Sequence, residues 1–306
     1  SSRAVYEYVL EHELEEELSI AEISGLPITP EDHVEFALRL GMDAVPCHFA
    51  WQPQTSDLDD LEPPPSLAEQ LSYMERYLRA ALGTGVGVIA SFTSFFGSAL
   101  QAAGLTDAPD QFGDRRQSLE QLMDRLLARQ EQVMRAVCDR FADDLALVMV
   151  QEHLANNHGL TVEREAFLTV FPPRMQRLIA PSQERNKLLL MHTRGRLDGI
   201  LQVLADIGFN AVHPVEPEWN DIVEIKRKWA GRLALIGNIP ISLLAAGGKD
   251  QIEAAVRERC LSLAPGGGYV LSSSGRITSD IPTESFVTMT RAVHKYGRYG
   301  SLGRQV

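Results

Sequence analysis

Cysteine is scarce: three residues in 306, Cys47, Cys138 and Cys260, with no CxxC pair. So few thiols, odd in number and far apart, exclude a disulfide framework and offer no thiolate cluster for a metal. Long apolar runs are absent too, and nothing approaches the roughly 20 residues that a membrane helix requires. Positive charge is outweighed, with 29 Lys and Arg against 41 Asp and Glu and a net charge of −12. That balance argues against a nucleic-acid partner, which needs a basic face. No GxGxxG follows the first strand-like segment, and neither GxSxG nor HExxH occurs, so the dinucleotide fingerprint, the serine nucleophile elbow and the helical zinc motif are all missing. The opening residues lack the pattern of a secretory signal, and a cytoplasmic protein is expected.

What is present is a rhythm. Hydrophobic residues make up 44% and charged residues 23%, the balance of a globular chain long enough to bury a large core. Val5–Leu18 has helical apolar spacing and reads as an arm, with residues 1–28 set outside the main repeat. Helix Pro30–Leu40, with Thr29 as N-cap and Pro30 in its first position, leads into the strand Ala44–Phe49. The acidic, proline-rich stretch Pro53–Ser66 reads as a loop over the mouth. Helix Leu67–Leu82, strand Gly85–Ser91 and a helical region opened by Phe95 and Phe96 follow.

Ser118–Phe141 is a long amphipathic helix, Leu145–Val150 a strand and Arg164–Ala180 a helix. From there the units are regular. Strands at Lys187–His192, Ala211–His213, Leu233–Ile236 and Gly268–Ser272 alternate with helices at Arg196–Ile207, Trp219–Trp229, Lys249–Leu263 and Ile281–Tyr296. Strands separated by helices mean βα units and a parallel sheet. The expectation is an α/β fold, a single (β/α)8 TIM barrel over residues 1–306, its third strand either near Leu100–Ala108 or lost among helices.

Barrel enzymes place their chemistry at the C-terminal ends of the strands, and ionisable residues collect there. The first strand ends at His48 and the fourth at Gln151-Glu152-His153. The fifth ends at His192, followed by Arg194, and the sixth at His213, followed by Glu216. Asn238 ends the seventh, and Ser272–Ser274 with Arg276 the eighth. Histidine can act there as a general base or a neutral metal ligand, and glutamate can tune it or complete a metal shell. His192 and Glu152 are therefore the expected catalytic pair and the expected ligands of a zinc ion, with His48 as a possible third. The expected substrate contacts are His48, Arg194, His213, Glu216, Asn238, Ser273, Arg276 and Phe96. Adjacent strand residues point to opposite faces, so only one of Glu152 and His153, and one of Cys47 and His48, can face the axis.

Four pieces carry a family resemblance: Leu190-Met-His192-Thr-Arg-Gly195, Leu204–Pro217, Glu224–Ile239 and Pro265–Ser273. In order and spacing they resemble the uroporphyrinogen decarboxylase superfamily over roughly Leu188–Gly297. The resemblance implies a (β/α)8 barrel with one of two activities. One is cofactor-free decarboxylation of a porphyrinogen. The other is methyl transfer between a methylated compound or thiol and a corrinoid protein, usually at zinc.

The sequence departs from both patterns. After the first strand it reads His48-Phe-Ala-Trp-Gln-Pro, without the decarboxylase arginines, and Gly275 stands where that enzyme has a histidine. His192 matches the zinc histidine of the thiol methyltransferases. Arg194 and serines occupy the positions of their two cysteines. The class that fits best is a corrinoid-linked demethylase of small O- or N-methylated compounds, with His192 serving the leaving atom and Arg194 or Arg276 binding a carboxylate. A carboxy-lyase and a non-catalytic small-molecule-binding barrel, its mouth plugged by Trp51, Phe95 and Phe96, are the alternatives. The resemblance also implies a corrinoid protein as partner and a homodimer.

Overall fold

A computed structural model describes residues 3–11, 13–14, 28–49, 65–93, 95–105 and 112–299. The acidic loop 53–64, Trp51, the arm beyond residue 14 and residues 106–108 of the expected third strand lie outside them. Helix α1 (Arg3–Leu10) is followed by α2 (Pro30–Leu40), β1 (Ala44–Phe49), α3 (Leu67–Ala81), β2 (Gly87–Thr93), α4 (Phe96–Ala102) and α5 (Arg116–Phe141). Next come β3 (Leu145–Gln151), a two-stranded hairpin of β4 (Ala155–Asn156) and β5 (Gly159–Leu160), and α6 (Arg164–Glu184). The regular half contains β6 (Leu189–His192), α7 (Leu201–Ile207), β7 (Ala211–His213), α8 (Ile222–Trp229) and β8 (Ala234–Ile239). It closes with α9 (Ile241–Ala246), α10 (Lys249–Leu263), β9 (Tyr269–Ser273) and α11 (Thr283–Tyr296).

Seven parallel strands pair in the order β1-β2-β3-β6-β7-β8-β9 and curl inside a coat of helices. This is the expected α/β barrel, with seven of its parallel strands among the described residues. The helical region expected after Phe95 is helix α4, no strand falls within residues 100–105, and β2 pairs directly with β3. The Glu152 carboxylate accepts the Phe96 and Gly97 N–H groups at 3.1 and 2.8 Å, which satisfies the first turn of a helix there.

Helix signals legible in the sequence work as local chemistry dictates. The Thr29 hydroxyl caps α2 by accepting the Asp32 N–H, and Gly41 ends that helix at φ 65°. Ser66 and Glu69 form a reciprocal capping box on α3. Asp221 caps α8 through the Val223 and Glu224 N–H groups, so that helix starts three residues later than the apolar spacing predicted.

The sheet has two unlike faces. Val45, Cys47 and Phe49 of β1 are buried under the helices, whereas Ala44, Pro46 and His48 between them stay partly open. On this inner face Ile89, Leu147, Met149, Leu190, Ala211, Ala234 and Ile236 make an apolar floor. Alternation puts Ser91, Gln151, His192 and His213 two residues further along the same face, so the polar groups sit above that floor at the C-terminal rim.

The helical coat closes on itself. Val5, Tyr6, Leu10 and Leu14 share one core with Phe36, Ile252, Phe286 and Met289, so the described part of the arm packs on helices α2, α10 and α11. His294 of α11 donates its Nε2–H to the Leu40 carbonyl at 3.0 Å. A Cβ on Gly41 would lie 2.5 Å from that imidazole, so glycine serves there both the left-handed φ and the close approach.

Candidate active site

Three histidines from three strands occupy the rim. His192 and His213 pair in register at the ends of β6 and β7. Their rings meet through the two Nδ1 atoms at 2.8 Å. Across the mouth, His48 Nδ1 lies 3.0 Å from Ser91 Oγ and 2.9 Å from Gln151 Nε2. The same Gln151 amide donates to Ser91 Oγ at 2.7 Å. Neither Gln151 nor Ser91 stood among the expected site residues. The signal for Gln151 was its neighbour: if Glu152 points outward, the residue before it points in.

Burial is the main force on these rings, because an imidazolium loses its water there. It lowers His192 from 6.5 to about 4, with Arg194 adding to the effect and Glu216 opposing it. His48 also falls to about 4, through burial and the positive neighbours His192 and Arg276. His213 falls to about 3, through burial and His192, against a hydrogen bond to the Ser273 backbone. The rim is thus lined by neutral imidazoles at neutral pH.

The two carboxylates expected at the site are engaged elsewhere. Glu152 is buried and turned to α4, and His153 beside it is exposed. Glu216 is also buried. Its Oε1 accepts Arg194 Nε at 2.9 Å and its Oε2 accepts the Gly195 N–H at 2.6 Å. Asn220 ties the same loop, accepting the Leu197 N–H and donating to the Gly195 carbonyl. Arg194 is therefore an outward-facing partner of Glu216, its side chain 62% exposed, rather than a ready fork for substrate.

Asn238 is fully buried and donates to the Val215 carbonyl at 3.1 Å. Beside it, a Cβ on Gly237 would lie 2.2 Å from the Pro214 carbonyl oxygen. The pair seats β8 tightly against the turn that follows His213. Ser273 Oγ donates to the Gly275 carbonyl and Ser274 Oγ accepts the Ile241 N–H. Phe96 is wholly buried against Phe167 and Phe171, with ring centroids at 5.9 and 5.7 Å. It belongs to the helical layer, as does Phe95, and neither reaches the mouth. Arg276 is exposed at the lip and close enough to His48 to repel its charged form.

Beside the β7–α8 connection lies a cavity of about 430 Å³, lined by residues 217–223 with Asn238 and Arg259. None of the three rim histidines borders it.

Residues 36–296 match the sequence profile of the uroporphyrinogen decarboxylase (URO-D) family. The chain belongs to the uroporphyrinogen decarboxylase family. No curated protein matches its sequence. Among solved structures it resembles a methyltransferase from Methanosarcina mazei, with 18% identity over 93% of this chain and 92% of that one and a TM-score of 0.68. A β-1,4-D-mannanase from Cryptopygus antarcticus (11% identity, 86% and 82% covered, TM-score 0.50) and an endo-glycoceramidase II from Rhodococcus sp. (14%, 89% and 76%, 0.50) share only the barrel.

Two groups associated with this family can be tested against the residues present. Among the described residues no three His, Cys, Asp or Glu side chains stand where they could hold a metal ion. The zinc set expected from His192, Glu152 and His48 does not assemble, because Glu152 caps a helix and His192 turns Nδ1 to His213. Cys47, Cys138 and Cys260 are all buried. A porphyrinogen bearing many carboxylates needs several cations. At this rim Arg194 is taken by Glu216 and Arg276 is the cation left, among the described residues. Neither group fits the residues as they stand.

Proposed function

We propose that this member of the uroporphyrinogen decarboxylase family is a methyltransferase that removes a methyl group from a small O- or N-methylated compound and passes it to a corrinoid protein. The observation that carries the proposal is the neutral rim: His48, His192, His213, Gln151 and Ser91 over an apolar floor, with one unpaired arginine at the lip. Such a lining suits a small, weakly charged molecule whose methyl group lies against apolar surface and whose polar end meets hydrogen-bonding groups.

A reduced corrinoid on the partner would supply the nucleophile that takes the methyl group. The bond from methyl carbon to oxygen or nitrogen breaks, and the heteroatom keeps the electron pair. For an ether substrate the departing oxygen is left negative. Arg276 is the group available to meet that charge, or a substrate carboxylate. His192, neutral at neutral pH, accepts a hydrogen bond from substrate instead of supplying a proton, which alters the role expected from the sequence. The apolar floor keeps water from competing for the methyl group.

The test is a methyl-transfer assay on the purified chain, with free cob(I)alamin as acceptor and a panel of methoxybenzoates and N-methylated amino acids. Formation of the methylated corrinoid, followed by absorbance, together with the demethylated product by mass, supports the proposal. His192→Ala should reduce the rate at least ~100-fold. Release of CO₂ from a porphyrinogen, with no methyl transfer from any of the panel, would overturn it in favour of a carboxy-lyase.

A further inference from the structure

We infer that Gln151 is the specificity-determining residue of the rim: Ser91 anchors one end of its amide, and the free oxygen at the other end selects a substrate that presents an N–H, a protonated N-methylated amine carrying a carboxylate. The inference rests on the methyl-transfer reading and deepens it, since it chooses between O- and N-methylated compounds.

The strand end that carries Gln151 fixes its direction. Glu152 is held outward by the Phe96 and Gly97 N–H groups at 3.1 and 2.8 Å, so strand alternation aims the residue before it into the barrel. In register Gln151 lies between Thr93 of β2 and His192 of β6. It is the middle of a polar row, with His48 and Ser91 on one side and His192 and His213 on the other.

On both sides the nearer atoms are engaged. Gln151 Nε2 donates to Ser91 Oγ at 2.7 Å and lies 2.9 Å from His48 Nδ1. His192 and His213 meet through their Nδ1 atoms. Gln151 Oε1 has no partner among the described residues, and it is not one of the buried polar atoms sealed from solvent. In a planar amide the oxygen diverges from the nitrogen, so Oε1 points away from the Ser91 anchor.

A carbonyl oxygen can only accept a hydrogen bond. An ether has lone pairs alone to offer it, and would cover Oε1 without replacing its water, which counts against binding. An ammonium N–H supplies the donor in a charge-assisted bond, strengthened by the apolar floor of Ile89, Leu147, Met149 and Leu190. A carboxylate on the same molecule would meet Arg276 at the lip. Such a zwitterion has no net charge, as suits a rim of neutral imidazoles.

The chemistry agrees. In a protonated N-methylated amine the bond from methyl carbon to nitrogen breaks, the nitrogen keeps the electron pair and its own proton, and the amine departs neutral. The methyl group passes to the reduced corrinoid of the partner. No side chain has to deliver a proton at that moment.

The experiment is titration calorimetry on the full chain, with no methyl acceptor present, using three matched ligands. Para-(dimethylaminomethyl)benzoate carries an ammonium N–H. Its trimethylammonium analogue has the same charge without the N–H, and para-(methoxymethyl)benzoate has neither. The first should bind at least ~10-fold tighter than each of the others. In Gln151→Met, which keeps the length but not the amide, the three affinities should fall within ~3-fold of one another. Gln151→Glu keeps an acceptor oxygen and should keep the preference. Equal affinities in the wild type, failure of all three to bind included, would overturn the inference. So would a preference that survives Gln151→Met or vanishes in Gln151→Glu. If the methionine variant does not fold, the wild-type ranking and the glutamate variant decide. A preference for the N–H ligand without any methyl transfer would leave Gln151 in this role and remove only the proposed reaction. Methyl transfer from methoxybenzoates with no preference for the N–H ligand would do the reverse.

Discussion

The carboxylate of Glu152 holds the backbone N–H of Gly97 at 2.8 Å across 55 residues of sequence, joining the end of β3 to the start of α4. The residue is a helix cap delivered from a distance. Glu152→Ala should therefore lower stability by about 1–3 kcal/mol, the cost of leaving buried N–H groups without an acceptor, with Glu152→Gln intermediate. Urea denaturation measures this. Turnover per folded molecule should change by less than ~10-fold, and a far larger loss at native stability would return Glu152 to the chemistry.

Glu216 tethers the loop that follows His192 through Gly195. In Glu216→Ala the Gly195 amide loses its acceptor, so its hydrogen exchange should speed up by ~10-fold or more. Arg194 is freed at the same time. If the Gly195 exchange rate does not move, the tether does not hold the loop.

Arg276 has no ion pair with any described residue, and its removal should cost the fold little. Arg276→Gln is expected to leave the melting temperature within about 2 °C. It should raise KM for a carboxylate-bearing substrate ~10–100-fold, the usual worth of a charge-assisted contact. A neutral methylated substrate should show no such change. Equal effects on both substrates would contradict a charge-binding role.

Buried neutral histidines set the acid limit of the fold. His48 and His192 ionise near 4 and His213 near 3, against 6.5 for an exposed ring. Their stabilising contribution is complete above about pH 6.5. It is lost as pH falls from there through 4, because the unfolded chain binds protons that the folded one refuses. His33, buried against Tyr77 with Nδ1 2.8 Å from its hydroxyl, is lowered to about 3 and adds to the trend. The urea midpoint at pH 4.5 should lie ~1 M or more below that at pH 7.5. A flat profile would mean that the rings are not buried in neutral form.

The barrel was legible because its evidence is local and repeated. Short apolar runs alternating with helices specify βα units without knowledge of partners, and the cap at Thr29 fell where the residue type demanded. The helix opened by Phe95 and Phe96 was legible. The group that satisfies its first turn was not: Glu152 comes from the end of the neighbouring strand, a partner that only the fold supplies.

At the site, position on the chain identified His48, His192 and His213, since a strand end is visible in sequence. Role was harder to read. Glu152, Glu216, Arg194 and Asn238 stand at strand ends too, and only geometry shows them committed to N–H groups, to one another and to a carbonyl. Gln151 was not singled out because an amide carries no charge to draw attention, although it lies one residue from Glu152.

The bond from His294 to Leu40 spans 254 residues, and it bears on how the protein is made. During synthesis α2 leaves the ribosome long before α11 exists. Phe36 and the other apolar residues that α11 and α10 will cover must wait in the open until those two helices have been translated. The nascent barrel is thus a partial sheet with an uncovered seam until α11 has emerged, and its closure waits on residues more than 250 positions away from the helix they cover.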